Sequence, residues 1–180
     1  MRVFIALDIP ADVRAGLTKY MESARLLAPE ARWARVEGLH VTLKFVGEAS
    51  ESRVEEIKTA LASVKAAPFT VRFAGLGFFP NAKAARVFWA GVDGGDDLPR
   101  LASTVDAALE KLAFPRETKA YHPHLTLART SSRPLRELHP LLADPPPQFG
   151  TMTAREFFLY QSQPQKGGSK YTRLERFALD

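Results

Sequence analysis

No cysteine occurs among the 180 residues of this chain. That absence excludes disulfides, thiolate-held zinc and a cysteine nucleophile, and it permits a reducing compartment. Histidine is scarce too, with four copies, so a metal could be held only by those imidazoles or by carboxylates. No segment approaches the roughly 20 apolar residues that a bilayer-spanning helix needs. The opening MRVFIALDIP carries a short apolar run that Asp8 interrupts, with no small-residue cleavage site after it, so secretion is not expected and the chain reads as soluble and cytoplasmic. An acidic surplus is also missing: 25 Lys and Arg against 20 Asp and Glu leave a net charge of +5, a mild bias toward polyanionic partners. At 46% hydrophobic, the chain can bury a full core, as one domain or as two small lobes sharing a cleft.

Along the chain, Val3 to Ile9 reads as a buried strand, and Pro10-Ala11-Asp12 opens a helix to about Leu27. Arg32 to Val36 and Leu39 to Val46 are expected strands, separated at Gly38. Ser50 or Ser52 caps a helix that buries Val54, Ile57, Leu61 and Val64. Phe69 to Phe73 and Arg86 to Val92 are predicted to pair as a hairpin across a GLGFFPNAK loop. A turn at Asp93 to Asp97 leads into a helix with Leu98, Leu101, Val105 and Leu109 on its apolar face. After a strand from His124 to Ala128, the prolines between Leu135 and Pro147 leave room only for a short helix. Phe157 to Gln161 and Tyr171 to Leu179 are predicted to close the fold as a hairpin across QSQPQKGGSK. The two halves offer the same order of elements, which predicts an α+β fold of mainly antiparallel sheets, duplicated about a pseudo-twofold axis.

Within that order one phrase occurs twice: His40-Val41-Thr42-Leu43 and His124-Leu125-Thr126-Leu127. A strand alternates its faces with period two, so each histidine shares a face with its threonine while the aliphatic residues point into the core. If the two strands lie side by side, two imidazoles and two hydroxyls converge on one cleft, a set suited to acid-base work on a phosphate. Other features have plainer readings. His122 reads as a loop or supporting residue and His139 as surface. Gly167-Gly168 reads as a hairpin turn whose flanking Lys166 and Lys170 could touch RNA phosphates. Arg32, Arg35, Lys83, Arg86, Lys119 and Arg133 read as a solvated basic rim.

The extended phrases, HVTLKF and HLTLAR, resemble the paired His-x-Thr-x-x-Phe and His-x-Thr-x-x-Arg motifs of the two-histidine (2H) phosphoesterases. They are most similar to the RNA 2',3'-cyclic phosphodiesterases also called 2'-5' RNA ligases. RVFIALDIP, HVTLKFVGE, HPHLTLAR and GSKYTRLERFAL extend the likeness over nearly the whole chain. The resemblance implies a single domain over residues 1–180, made of two intertwined lobes with outer helices around a central cleft, and a monomer that works without metal or cofactor. It implies that His40 protonates the departing ribose O3' and that His124 activates the attacking water. Arg129 would grip the phosphate, Thr42 and Thr126 would donate to it, and Phe45 would stack on the nucleobase. RNA ends or small nucleotides bearing cyclic phosphates would be the substrates; the alternative is a module that binds RNA ends without catalysis.

Elementary chemistry fits two histidines independently, because groups with ordinary pKa near 6.5 can hold opposite protonation states near neutrality. It does not say which is acid and which is base. Strict alternation, however, puts Phe45 and Arg129 on the face away from the histidines. Each strand is therefore predicted to twist, bulge or end near Lys44 and Ala128, re-aiming its sixth residue toward the ligand.

Overall fold

The computed structural model describes residues 1–180, and every strand pairing in it is antiparallel. The elements run β1 (Arg2–Leu7), α1 (Ala11–Arg25), β2 (Arg32–Trp33), a 3-10 turn (Val36–Gly38), β3 (Val41–Glu48), α2 (Glu51–Ala62), β4 (Phe69–Phe79) and β5 (Val87–Asp93). They continue with α3 (Asp97–Glu110), β6 (His124–Arg129), a second 3-10 stretch (Arg136–Leu142), β7 (Gln148–Ala154), β8 (Glu156–Gln165) and β9 (Gly168–Ala178). One sheet is ordered β3-β1-β8-β9 and the other β6-β5-β4-β7, with β2 added outside β6. The two orders correspond strand for strand, so β3 and β6, which carry the repeated phrases, hold equivalent places in separate sheets. They are therefore not hydrogen-bonded neighbours, and whatever they share is built across the space between sheets. No helix is long and apolar enough to cross a membrane.

Period and capping explain the helices. α1 buries Val13, Leu17, Met21 and Ala24, and α2 buries Val54, Ile57 and Leu61 after Ser50 accepts the Arg53 N–H at its start. α3 buries Leu98, Leu101, Val105 and Leu109, and packs on both β3 and β4. Side chains from both sheets and all three helices join one hydrophobic cluster of 40 buried residues.

Strand limits differ from expectation in instructive ways. GLGFF is strand, not loop: Gly75, at φ 80°, sits in the β4 irregularity between Phe73 and Leu76, and Gly77 lets the Trp89 ring lie directly on the backbone. QSQPQ and GSK likewise extend β8 and β9 to a turn at Lys166-Gly167, because backbone pairing tolerates the polar side chains that masked it. β7 was not expected; it hides behind Pro145, Pro146 and Pro147 and pairs with β4. β2 covers only two residues before the chain turns at Val36–Gly38, and β3 starts at Val41, leaving His40 just ahead of it. His139 is half-buried against Phe78, not surface.

One buried ion pair ties the first repeat to the second half. Lys44 Nζ lies 2.6 Å from Asp106 Oδ1 on α3 and 2.9 Å from the Pro115 carbonyl, with side-chain exposures of 2% and 9% for the pair. The Glu117 N–H donates to the second Asp106 oxygen at 3.0 Å. Burial pushes the Asp106 carboxyl up, but the Lys44 hydrogen bond, the Glu117 N–H and the charges of Lys44 and Arg116 outweigh it and hold it below the usual carboxylate range. Stranding one member of such a pair costs about 3–5 kcal/mol, whereas replacing both with apolar residues costs little. Urea unfolding should accordingly show Lys44→Ala destabilised by about that much, and Lys44→Met/Asp106→Leu restored most of the way to wild type. A single variant within about 0.5 kcal/mol of wild type would show that the pair does not hold these elements together.

Candidate active site

Both repeated strands carry an extra residue at the same place. Against β1, Ile5 pairs with Lys44 and Ala6 with Thr42, so Leu43 is the bulged residue of β3. Against β5, Phe88 pairs with Ala128 and Trp89 with Thr126, so Leu127 is the bulged residue of β6. Burial follows the bulges: Val41, Leu43 and Lys44 are buried while Thr42 is partly open and Phe45 is 71% exposed. In β6, Leu125, Leu127 and Ala128 are buried, Thr126 is partly open and Arg129 is exposed. Two successive inward residues thus return Phe45 to the His40 and Thr42 side, and Arg129 to the His124 and Thr126 side.

Aromatic rings from neighbouring strands wall each imidazole. His40 lies 4.5 Å from Tyr160 (β8), 5.2 Å from Tyr171 (β9) and 5.8 Å from Phe4 (β1), ring centre to ring centre. His124 lies 4.9 Å from Phe79 (β4) and 6.4 Å from Trp89 (β5). Phe4 also approaches Phe45 at 6.2 Å, which links the first motif's histidine to its phenylalanine. The two sets meet through Tyr121: its hydroxyl, three residues before His124, donates to the Thr42 carbonyl at 2.7 Å, two residues past His40.

Each histidine also leans on the backbone two residues upstream. His124 Nδ1 lies 2.7 Å from the His122 carbonyl. A carbonyl can only accept, so Nδ1 carries the proton and Nε2 is left for chemistry. The Gly38 carbonyl favours the charged form of His40. No group of three His, Cys, Asp or Glu side chains is arranged to hold a metal ion.

Comparison with known proteins shows the family. Residues 7–89 match the family described as LigT-like phosphoesterase. A curated relative from Archaeoglobus fulgidus, named RNA 2',3'-cyclic phosphodiesterase, is 34% identical over 98% of this chain and 99% of its own. This chain belongs to the LigT-like phosphoesterase family. Solved structures agree: a Thermus thermophilus protein superposes with a TM-score of 0.84 at 31% identity, covering 99% of this chain and 98% of that one. Escherichia coli LigT complexed with 3'-AMP gives 0.81 at 27% identity, covering 99% and 97%.

In this LigT-like chain the two histidines differ in their surroundings. Burial is the main cause that pulls His40 down to about 4; the Asp8 carboxylate and the Gly38 carbonyl oppose it, while the charges of Arg14 and Arg173 add to it. Asp8 is itself clamped, by Arg14 at 2.6 Å and by Arg173. His124 is also lowered, first by burial, with His122 and Arg129 adding to it against the His122 carbonyl bond. No carboxylate contributes there. Sequence reading missed the walls and the clamp, because Phe4, Tyr160, Tyr171, Phe79, Trp89 and Asp8 reach the histidines only through strand pairing. Lys44 could have been noticed: it is the one charged residue between His40 and Gly47.

A histidine whose folded pKa is depressed destabilises the fold wherever the unfolded chain takes up a proton that the folded one refuses. That window for His40 opens below its unfolded value near 6.5 and closes near 4. The unfolding free energy from urea titration should fall as pH drops from 6.5 to 5, by on the order of 1 kcal/mol from His40. His40→Gln should flatten this slope without removing the share due to His124. An unchanged slope in His40→Gln would refute the assignment.

Proposed function

We propose that this chain opens RNA 2',3'-cyclic phosphate ends to 2'-phosphates, using His40 and His124 as an acid-base pair with no metal in the reaction. The observation that carries this reading is the twin bulge. It puts His40, Thr42 and Phe45 on one face and His124, Thr126 and Arg129 on another, and Tyr121 joins the two strands that bear them. The names of full-length relatives support the same substrate class. E. coli LigT has been solved with 3'-AMP and with phosphate.

Opening the ring takes a proton from water and gives one to the leaving O3'. In the reading inherited from the family, His124 Nε2 accepts the water proton and His40 delivers its proton to O3' as the P–O3' bond breaks. Both imidazoles are neutral-leaning in the free protein. The substrate's own negative charge favours the imidazolium, so binding of the phosphate charges the acid. Arg129 offers a planar fork to two non-bridging oxygens, and the threonine hydroxyls donate to the same group. Phe45, open to solvent on one side, gives the base a stacking surface. With a ribose 5'-hydroxyl in place of water, the same two proton transfers form a 2'-5' linkage, and their reversal cleaves one.

Hydrolysis of a cyclic-phosphate RNA in EDTA tests this directly. His40→Ala and His124→Ala should each lower kcat/KM by roughly 10² to 10⁴, and Arg129→Ala by about 10² or more. Full activity in either histidine variant overturns the assignment, and substrate bound tightly but left unchanged would indicate a module that only recognises RNA ends. The profile of kcat/KM against pH should be bell-shaped with its maximum below 6.5, since both free-enzyme groups titrate below their ordinary value. A rate climbing steadily from pH 5 to 8 would contradict it.

A further inference from the structure

Two exposed aromatic rings, Phe45 and Tyr171, approach Phe4, whose ring in turn meets His40. Phe4, 6% exposed, lies between the two: Phe45 is 6.2 Å from it and Tyr171 is 5.6 Å from it. Tyr171 is 37% exposed and stands edge-on to His40. Gly38 makes room for it, since a Cβ there would come within 2.9 Å of the Tyr171 ring. Beyond Tyr171 the last hairpin leaves its sheet. β1 pairs with β8 no further than Ser162, so residues 163–170 project as a two-stranded arm with Lys166-Gly167 at its tip.

Cations gather on that arm. The Arg35 guanidinium lies against the tip, where a Cβ on Gly167 would meet Nη2 at 2.6 Å and one on Gly168 would meet Nε at 3.5 Å. Lys166 and Lys170 are exposed on the same arm. None of the three takes part in an ion pair, whereas Arg14, Arg173 and Arg116, nearer the histidines and α3, are all engaged by carboxylates. Glu37, the acid closest in sequence to Arg35, is exposed and pairs with none of them. Unpaired cations beside an open aromatic ring form the standard surface for a single nucleic-acid strand: stacking holds a base and the charges follow the phosphates.

Resting on the function proposed above, we propose that Tyr171, Arg35, Lys166 and Lys170 form a second subsite for the nucleotides 5' of the reacting end. Phe45 serves the terminal base, Tyr171 the next one, and the arm holds the phosphates behind it. Single-stranded RNA, rather than a lone cyclic nucleotide, is then the preferred substrate.

The test compares a mononucleotide 2',3'-cyclic phosphate with a six-nucleotide RNA ending in the same group. Wild type should favour the hexanucleotide by about tenfold or more in kcat/KM. Lys166→Glu/Lys170→Glu should bring the ratio close to one by losing activity on the hexanucleotide alone. Equilibrium binding of a labelled hexanucleotide ending in a 2'-phosphate gives a readout independent of turnover. In the double variant its Kd should rise at least tenfold, and the slope of log affinity against log salt should flatten by about 1.4, roughly 0.7 per lost contact. Equal use of both substrates by wild type, or a Kd within twofold in the variant, overturns the subsite. Failure of wild type to hydrolyse either substrate, with lysine-dependent binding intact, overturns the proposed reaction and leaves the subsite standing.

Discussion

The site depends on one extra residue in each of two strands. Without the bulges at Leu43 and Leu127, period-two alternation would send Lys44 into the solvent and Phe45 and Arg129 into the core. With them, Leu43 and Lys44 both turn inward, as do Leu127 and Ala128, and the sixth residue of each motif comes out beside the histidine. The inward turn must then be satisfied. Ala128 meets that demand by being small and apolar, but Lys44 carries a charge that would be costly to bury alone. Asp106, the Pro115 carbonyl and the segment after α3 answer that charge, so the geometry that exposes Phe45 also joins β3 to the second half.

Burial and reactivity are opposed around the imidazoles. Rings from β1, β8 and β9 on one side and from β4 and β5 on the other fix the orientation of each histidine, and the same rings strip its water and disfavour its charged form. A surface histidine would be charged more easily but held less well. At His124 the His122 carbonyl lessens the conflict by fixing the tautomer through Nδ1 and leaving Nε2 free. An anionic ligand would restore what the walls take away, because its charge favours the imidazolium.

Much of this was legible in local pattern, and the rest was not for a definable reason. The repeated phrase and the conflict at its sixth position are read within six residues, so the need for a bulge could be inferred from HVTLKF and HLTLAR alone. The helices were equally plain from Val54, Ile57 and Leu61 or from Leu98, Leu101, Val105 and Leu109. Strand limits failed where pairing overrides composition, as in the glycines of β4 and the glutamines of β8. Which sheet each motif strand joins was not legible for a related reason: equivalent strands in a duplicated fold belong to different sheets. Tyr121, Asp8 and Asp106 carry no local signature, because each acquires its partner only when distant elements meet.

A duplicated fold tends toward two identical environments, yet opening a cyclic phosphodiester needs an acid and a base that differ. The structure departs from its own symmetry around the two imidazoles. Beside His40 stands a carboxylate, Asp8, clamped by Arg14 and Arg173; beside His124 stand only His122 and Arg129. None of the three clamp residues lies in a repeated phrase; they come from the end of β1, from α1 and from β9. The clamp fixes Asp8 near His40, where its negative charge opposes, without overcoming, the burial that pulls the imidazole down to about 4. A carboxylate opposes burial at the first motif, and none does so at the second. Twin strands thus present the same two side chains to unequal neighbours.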